Sequence, residues 1–306
     1  MDAVRSRRFF RWLEDGGNGN PQSVGDFVGS LGPISAASRL IERGVRISLE
    51  RNNSVLIPRR QGGKPATDIS WVVEAAPIMV KQHTLDAATL GPTKKLACIV
   101  TATRELVQHS DGEQVFSTLL REDVAASLDA SLFSTTAADS SRPAGILAGL
   151  SSLTPATSPQ GSGTQAEMIW ADLANLANAV VDAGGSGEIV YIAAPKQANA
   201  IRLWLGQTRP VEVWSCPALA NKTVVAIQPD AFASAFGSVA NISIERDTAL
   251  HLSTTPLQLG TVGSPNVVAA PVSSLFQQDL VAVKCILDCA WTLRAPLVSF
   301  VANVNW

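Results

Sequence analysis

Several clusters in this 306-residue chain carry the side-chain types from which chemistry is built. His109, Ser110 and Asp111 hold the members of a nucleophile–base–acid relay, but as chain neighbours. Adjacent side chains diverge and cannot line up the successive hydrogen bonds such a relay needs. Gly184-Gly185-Ser186-Gly187 has the glycine density of a phosphate cradle. It precedes a strand-like run instead of opening a helix, so its N–H groups are not gathered at a helix N-terminus. The end of a helix is the better reading. Cys98, Cys216, Cys285 and Cys289 are too scattered for a disulfide framework. Cys285 and Cys289 share one face of an alternating stretch and read as small buried apolar side chains, not as a metal or redox pair. The histidines are His83, His109 and His251, none near a CxxC, so no zinc site is expected. The acids Glu122, Asp123 and Asp129 fall on the polar side of a predicted helix, where a solvated or subunit-facing role outweighs acid–base catalysis. There is no GxSxG, no Walker-type GxxxxGK and no HExxH. No catalytic residue, cofactor or metal is expected.

The elements that carry these residues can be placed from periodicity. Ser110 and Glu113 match a capping box, followed by Phe116, Leu119, Leu120, Val124, Leu128 and Leu132 at helical spacing. This predicts a helix of about twenty residues, roughly 30 Å long. From Leu280 to Arg294 the odd positions read Val281, Val283, Cys285, Leu287, Cys289, Trp291 and Leu293. That alternation predicts one half-buried strand, about 45 Å long. A helix and a strand of such length suit a thin, extended plate better than a compact enzyme.

Thr164 and Glu167 form a second capping box, before a helix with Ile169, Leu173, Leu176 and Val180 on one face and Gly184-Gly185 at its end. A strand at Ile189–Ala193, a helix from Pro195 through Leu205, and strands at Val211–Trp214, Val224–Ile227 and Ile242–Ile244 complete an α/β layer. Leu96–Ala102 and Val45–Leu49 also read as strands. Val55–Ile57 and Ile69–Val73 flank a glycine-containing tip, Pro58-Arg59-Arg60-Gln61-Gly62-Gly63-Lys64-Pro65, and together predict a projecting hairpin. A hairpin with so little apolar surface is marginal alone and needs something to bind it. Residues 14–35 read as an extended arm, preceded by a short helix over Val4–Leu13 with Arg5, Arg7, Arg8 and Arg11 outward.

Composition narrows the classes. Apolar residues make up 46% and charged residues 16% of the chain, with mean hydropathy +0.17. That excludes disorder over most of the length and leaves a low-charge surface suited to an assembly. The net charge is −2, yet residues 1–60 carry ten arginines against six acids. No basic block dominates, which argues against sequence-reading DNA binding. Ser6-Arg7-Arg8-Phe9-Phe10 resembles a twin-arginine signal, but the apolar region that must follow is missing. No run is long enough for a membrane helix. A soluble protein made in a cytoplasm is expected, with no membrane partner.

The order of elements resembles the major capsid proteins of tailed bacteriophages, of the Hong Kong 97 type. The residues that carry the resemblance are Trp71-Val72-Val73-Glu74-Ala75, Thr84-Leu85, Gly91-Pro92-Thr93-Lys94-Lys95-Leu96-Ala97 and Thr101 to Leu106. They continue with Leu128-Asp129-Ala130-Ser131-Leu132, Pro143-Ala144-Gly145-Ile146, Asp279-Leu280-Val281-Ala282-Val283-Lys284 and Ala290-Trp291-Thr292-Leu293-Arg294. Their order spans roughly residues 45–306. The resemblance implies an α+β fold of that type. Its parts would be an N-terminal arm (1–45), a projecting E-loop hairpin (46–82), a peripheral domain with the long spine helix and long strand (83–142 and 256–292), and an α/β axial domain (143–255 and 293–306).

The implied function is a major capsid protein, not an enzyme, that self-assembles into hexamers and pentamers of an icosahedral head enclosing double-stranded DNA. Implied partners are other copies of the chain, portal and scaffolding or protease proteins, decoration proteins, and packaged DNA held without sequence preference on the inner face. The implied location is the virion capsid, assembled in the host cytoplasm. An encapsulin-type compartment shell is the alternative, and a cytosolic α/β enzyme a distant one. Two departures stand out: Ser134–Ser141 lacks the glycines common after the spine helix, and the chain has no room for an N-terminal scaffolding segment. Either the chain is a processed form or scaffolding is a separate protein, and Met1 favours the second.

Arg59, Arg60, Gly62, Gly63 and Lys64 at the hairpin tip are the expected inter-subunit contact, with Glu122 and Asp123 as candidate acids on a neighbour. Some members of the family also join an E-loop lysine to a neighbour's asparagine with help from a glutamate. On the resemblance, Lys64 would supply the amine and Asn266 the amide. The proton-accepting glutamate is missing nearby: none follows Glu245, and Asp279 stands thirteen residues from Asn266 with a shorter reach. No covalent self-cross-linking is expected.

Overall fold

The computed structural model describes residues 28, 31, 34–49, 54–60, 71–78, 80, 85–105, 112–157, 165–205, 211–236, 241–245, 247–251 and 273–306. The chain divides into two contact units. One comprises Met1–Ser23, Leu96–Arg121 and Val239–Leu287; the other comprises Val24–Lys95, Glu122–Ser238 and Asp288–Trp306. Among the described residues no helix is long and apolar enough to cross a membrane.

The larger unit holds a four-stranded sheet. Here β5 (Val190–Ala193) runs parallel to β6 (Val213–Ser215) and antiparallel to β7 (Val224–Ile227), which pairs antiparallel with β13 (Val298–Val301). β5, β7 and β13 are buried at every position, as continuous apolar strands must be when both faces are covered. Helix α3 (Gln165–Asp182) lays Ile169, Leu173, Leu176 and Val180 on this sheet, and α4 (Pro195–Leu205) adds Ala198, Ile201 and Leu205. The 4-3-4 spacing on α3 is the period that keeps one stripe of a helix facing one way. α3 ends as expected: Gly184 has φ +103°, and the N–H groups of Gly184 and Gly185 return to the carbonyls of Val181 and Val180. A left-handed residue with these two bonds is the glycine-terminated helix end, and it accounts for Gly184 and Gly185.

The same unit contains α1 (Ala36–Arg43), β1 (Val45–Ser48) and the antiparallel hairpin of β2 (Val55–Arg60) and β3 (Leu85–Leu90). It also holds β8 (Phe232–Phe236) and the second half of β12 (Leu280–Leu293). β8 lies between β1, to which it is parallel, and β12, to which it is antiparallel. The C-terminal half of α2 (Gly112–Leu132) buries Val124, Ala125, Leu128 and Leu132. Beyond it the chain doubles back. Gly145 N–H binds Thr136 O, Ile146 N–H binds Leu132 O, and Trp291 Nε1–H binds Ala144 O at 2.7 Å. A Cβ on Gly145 would lie 1.9 Å from the Ser134 carbonyl oxygen, so only glycine fits this crossing. Three of the segments that carry the resemblance thus meet in one place.

The smaller unit contains the first half of β12, with β9 (Asn241–Glu245) paired antiparallel to it from Ala282↔Glu245 to Ile286↔Asn241. β4 (Lys94–Thr103) is its other neighbour and ends the sheet. A two-stranded ladder joins β10 (Ala249–Leu250) to β11 (Ser273–Ser274). The long strand follows the predicted alternation over most of its length: Val281, Val283, Cys285, Leu287, Cys289 and Trp291 are buried, Leu293 is only half-buried, and Ala282 and Ala290 are buried on the other face.

Four expectations need correction. The second arm of the hairpin is Leu85–Leu90; of the expected strand Ile69–Val73, the described residues Trp71–Val73 have no strand pairing. Glu74-Ala75-Ala76 turns there, with Ala75 at φ +67°, and Pro77 follows. The segment before β1 is not all extended arm: Val28 and Leu31 are buried, and α1 packs Leu40 and Ile41 inside its own unit. Leu119 is half-exposed although it sits among the expected core positions of α2. Asp129, expected on the polar side of that helix, is 2% exposed. It follows Leu128 and lies one turn from Ala125, which puts it on the apolar stripe. The described elements β3, β8, β10, β11, β13 and α1 were not among those expected. The expected caps at Ser110 and Thr164, and the helix over Val4–Leu13, lie outside the described residues.

Candidate assembly surfaces

The hairpin is rooted by period-2 alternation. Ile57, Ala88 and Leu90 are buried, while Leu56 and Thr89 point to solvent. Ile57 and Leu90 join Leu49, Ala233, Ala235 and Ala290 in one small core. Beyond this root the sheet carries charge. Arg59 Nε–H donates to Asp86 Oδ2 at 2.8 Å across the two strands. That guanidinium, then the Ala87 N–H, holds the Asp86 carboxyl below its ordinary value. Arg59 is therefore engaged within its own hairpin, and no ion pair among the described residues joins it to Glu122 or Asp123. Arg60 stands opposite Leu85 at the last pair of the ladder. Gly62, Gly63 and Lys64 lie outside the described residues, as do Arg5, Arg7, Arg8 and Arg11.

Between the two strands lies a bare apolar run, of which only Trp71–Val73 belongs to the expected strand Ile69–Val73. Trp71, Val73, Ile78 and Val80 are almost completely in solvent, and Val72 is partly so. Large apolar side chains this close in sequence and this bare are uncommon on a monomer, and they mark a surface that something covers. In the sequence this segment holds six large apolar residues, Trp71, Val72, Val73, Ile78, Met79 and Val80, interrupted by Glu74 and Pro77.

On α2, Glu122 and Asp123 are exposed, one face away from the buried stripe. On the buried face Asp129 closes the N-terminus of α1. Its carboxylate accepts from the Ser35 hydroxyl (2.6 Å), the Ala37 N–H (2.8 Å), the Ala36 N–H (3.3 Å) and the Cys216 thiol (3.6 Å). Ser35 is itself the N-cap, accepting from Ser38 N–H, while the Ser38 hydroxyl donates to Val28 O. The first-turn N–H groups of a helix have no internal partner, and an anion placed there satisfies them and meets the positive end of the helix dipole. Burial pushes the Asp129 carboxyl up and outweighs the donors that pull it down. The Cys216 thiol is pushed up to about 12, by burial first and the Asp129 charge second. This anchor fixes the start of α1 within its unit.

A cleft of about 440 Å³ is lined by Arg43, Glu188, Ile189, Val190, Glu212, Pro229 and Asp230. Arg43 Nη1 donates to Glu212 Oε2 at 2.7 Å and stacks over Trp214, 5.4 Å from the ring centre. Trp214 Nε1–H holds the other oxygen of Glu212. None of these groups is a nucleophile set against a base. Among the described residues no group of three or more His, Cys, Asp and Glu is placed to hold a metal ion. Of the residues named for cross-linking, Asp279 sits at φ +49° just before β12, paired with Arg104 at 3.6 Å, and Glu245 is exposed on β9. Lys64, Asn266 and the trio His109, Ser110, Asp111 lie outside the described residues. Cys285 and Cys289 are buried on one face of β12, as expected.

No curated protein matches the chain in sequence. Solved structures match its fold. One, from Mycobacterium phage Adephagia, is 11% identical with a TM-score of 0.58, covering 88% of this chain and 90% of that one. The capsid of an empty GTA particle computed with C5 symmetry is 12% identical with a TM-score of 0.52, covering 91% and 90%. The procapsid of satellite phage P4 including the size determination (Sid) protein is 8% identical with a TM-score of 0.53, covering 100% and 98%. The mixed α+β fold is therefore that of phage capsid chains, whose family is structural and not enzymatic. A model of the phage capsid family matches residues 31–290, most of the length, and the chain belongs to that family as a major capsid protein of the virion shell.

Proposed function

We propose that copies of this chain assemble as hexamers and pentamers into an icosahedral head around double-stranded DNA, and that the hairpin is the main contact between copies. The observation that carries this is the bare apolar set Trp71, Val72, Val73, Ile78 and Val80, which lies in sequence between the two strands of a well-rooted hairpin. Each large apolar side chain moved out of water contributes roughly 1.5–3 kcal/mol, so four of them supply a contact of substantial strength, repeated at every copy of the lattice. The basic tip, Arg60 and Lys64, adds exposed ion pairs with Glu122 and Asp123 of the next copy, worth little singly and more through repetition. In this reading residues 1–45 are the arm, 46–82 the E-loop, 83–142 with 256–292 the peripheral domain, and 143–255 with 293–306 the axial domain. Arg5, Arg7, Arg8 and Arg11 on the arm meet phosphate or a neighbouring copy. Assembly takes place in the host cytoplasm with a portal, a scaffolding protein or protease, and decoration proteins as partners. A chain of net charge −2 needs only to tolerate the DNA backbone on its inner face.

The test replaces residues 61–84 by a two-residue turn, which keeps the β2–β3 ladder. The expected result is a folded subunit by circular dichroism that forms no closed shells by electron microscopy. Shells of ordinary size and yield from this variant would overturn the assignment.

A further inference from the structure

Cys98 and Cys285 face each other across the ladder between β4 and β12. Arg104 N–H donates to Asp279 O at 3.0 Å at one end of that ladder. Counting six residues back from Arg104 along β4, and six forward from Asp279 along β12, brings Cys98 opposite Cys285. The side chains bear this register out, because the Cys285 thiol is hydrogen-bonded to Cys98. Two contacts displaced in opposite chain directions define antiparallel pairing, in which pair types alternate. A pair six residues from a hydrogen-bonded one is of the same type, with Cα atoms about 5.5 Å apart. That separation lies within the roughly 4.4–6.8 Å that a disulfide spans.

We propose that Cys98 and Cys285 are an oxidation site, two thiols that a peroxide converts to a cross-strand disulfide stapling β4 to β12. Cys98 is half-buried on the strand that ends the sheet, so it is the sulfur an oxidant reaches, while Cys285 is 1% exposed and acts second. The Cys98 thiolate attacks one peroxide oxygen. An S–O bond forms, the O–O bond breaks, and the departing hydroxide takes a proton to leave as water, giving a sulfenic acid. The Cys285 sulfur then attacks Cys98, losing its proton. The S–S bond forms, the S–O bond breaks, and a second water leaves. Two thiols and one hydrogen peroxide thus give one disulfide and two waters.

The hydrogen bond to Cys98, then burial, then the neighbouring sulfur push the Cys285 thiol up. Among the described residues the other two thiols have no hydrogen bond to a cysteine. Cys289 is on the same face as Cys285 but four residues along an extended strand, about 13 Å away, and Cys216 lies against Asp129. Burial holds both near 12.

The test treats the purified, folded full-length chain with hydrogen peroxide, then counts thiols after denaturation. The expected titre falls from four to two and returns to four with dithiothreitol. In a Cys289→Ala background the tryptic peptides Leu96–Arg104 and Cys285–Arg294 each carry one cysteine, and mass spectrometry should find them joined. The Cys98→Ser variant should keep its three thiols under the same treatment. An unchanged titre in the wild-type chain, oxidation to sulfinic acid without a cross-link, or a link mapped to Cys216 would each overturn the proposal.

Discussion

Replacing Asp129 by alanine removes the acceptor shared by the Ser35 hydroxyl and the Ala36 and Ala37 N–H groups, all at the buried mouth of α1. Each buried donor left without a partner costs about 1–3 kcal/mol. Against this, the variant no longer buries a carboxylate, a cost visible in the upward push on its pKa. The net loss for Asp129→Ala is about 2–4 kcal/mol, more than the roughly 1 kcal/mol of a typical lost N-cap, because the same carboxylate also holds the capping serine. Asp129→Asn keeps the shape but turns an amide N–H₂ toward donors, and should fall between wild type and alanine. Urea unfolding followed by tryptophan fluorescence, at fixed protein concentration, reads these differences as midpoint shifts at constant slope. Ser35→Ala combined with Asp129→Ala should cost clearly less than the two single losses together, since they share partners.

The pH dependence has a definite sign. The folded pKa of Asp129 lies above the ordinary 3.8, so between the two values the native chain holds a proton that the unfolded chain has released. The stability this confers is complete below 3.8 and is lost as the pH rises through the folded value. The protonated carboxyl has a single donor, which the Cys216 sulfur can accept. The advantage of wild type over Asp129→Asn should therefore be largest in acid and smaller at neutrality. An alanine variant within about 0.5 kcal/mol of wild type, or an advantage that grows with pH through that window, would refute the argument.

Gly145→Ala should reduce folded yield sharply, because the new methyl would overlap the Ser134 carbonyl, and overpacking against backbone costs about 1–3 kcal/mol or more; thermal unfolding reads it. Trp291→Phe should lose about 1–2 kcal/mol in the same assay by leaving the Ala144 carbonyl without its donor. Mature shells boiled in detergent should run as one band near 32 kDa, since Asp279 is engaged by Arg104 and no glutamate follows Glu245; a ladder surviving reductant would contradict this.

What could be read before the structure follows from how strongly each segment repeats its period. β12 alternates over fourteen residues and α3 keeps its 4-3-4 stripe, so both stand where the pattern puts them. β8 is Phe-Ala-Ser-Ala-Phe and β3 is Leu-Asp-Ala-Ala-Thr-Leu, with no β-branched run to announce them. They are strands because β1, β12 and β2 flank them, which is tertiary context overriding local preference. α1 is too short to hold alone, although its capping Ser35 was in plain view. Asp129 was misplaced by treating a helical carboxylate as solvent-facing; its spacing from Ala125 and Leu132 was the available clue. The bare run at Trp71–Val80 was hidden by the same β-formers that suggest a strand.

The Asp129 anchor also sets an order of events during synthesis. Ser35 leaves the ribosome 94 residues before the carboxylate that completes its helix start. At about 5–20 residues per second, α1 waits roughly 5–20 s for that partner. An eight-residue helix is not stable in water by itself, so through this interval the N-terminal segment is an uncommitted strand of nascent chain. The start of α1 gains its buried acceptor only once Asp129 has been made.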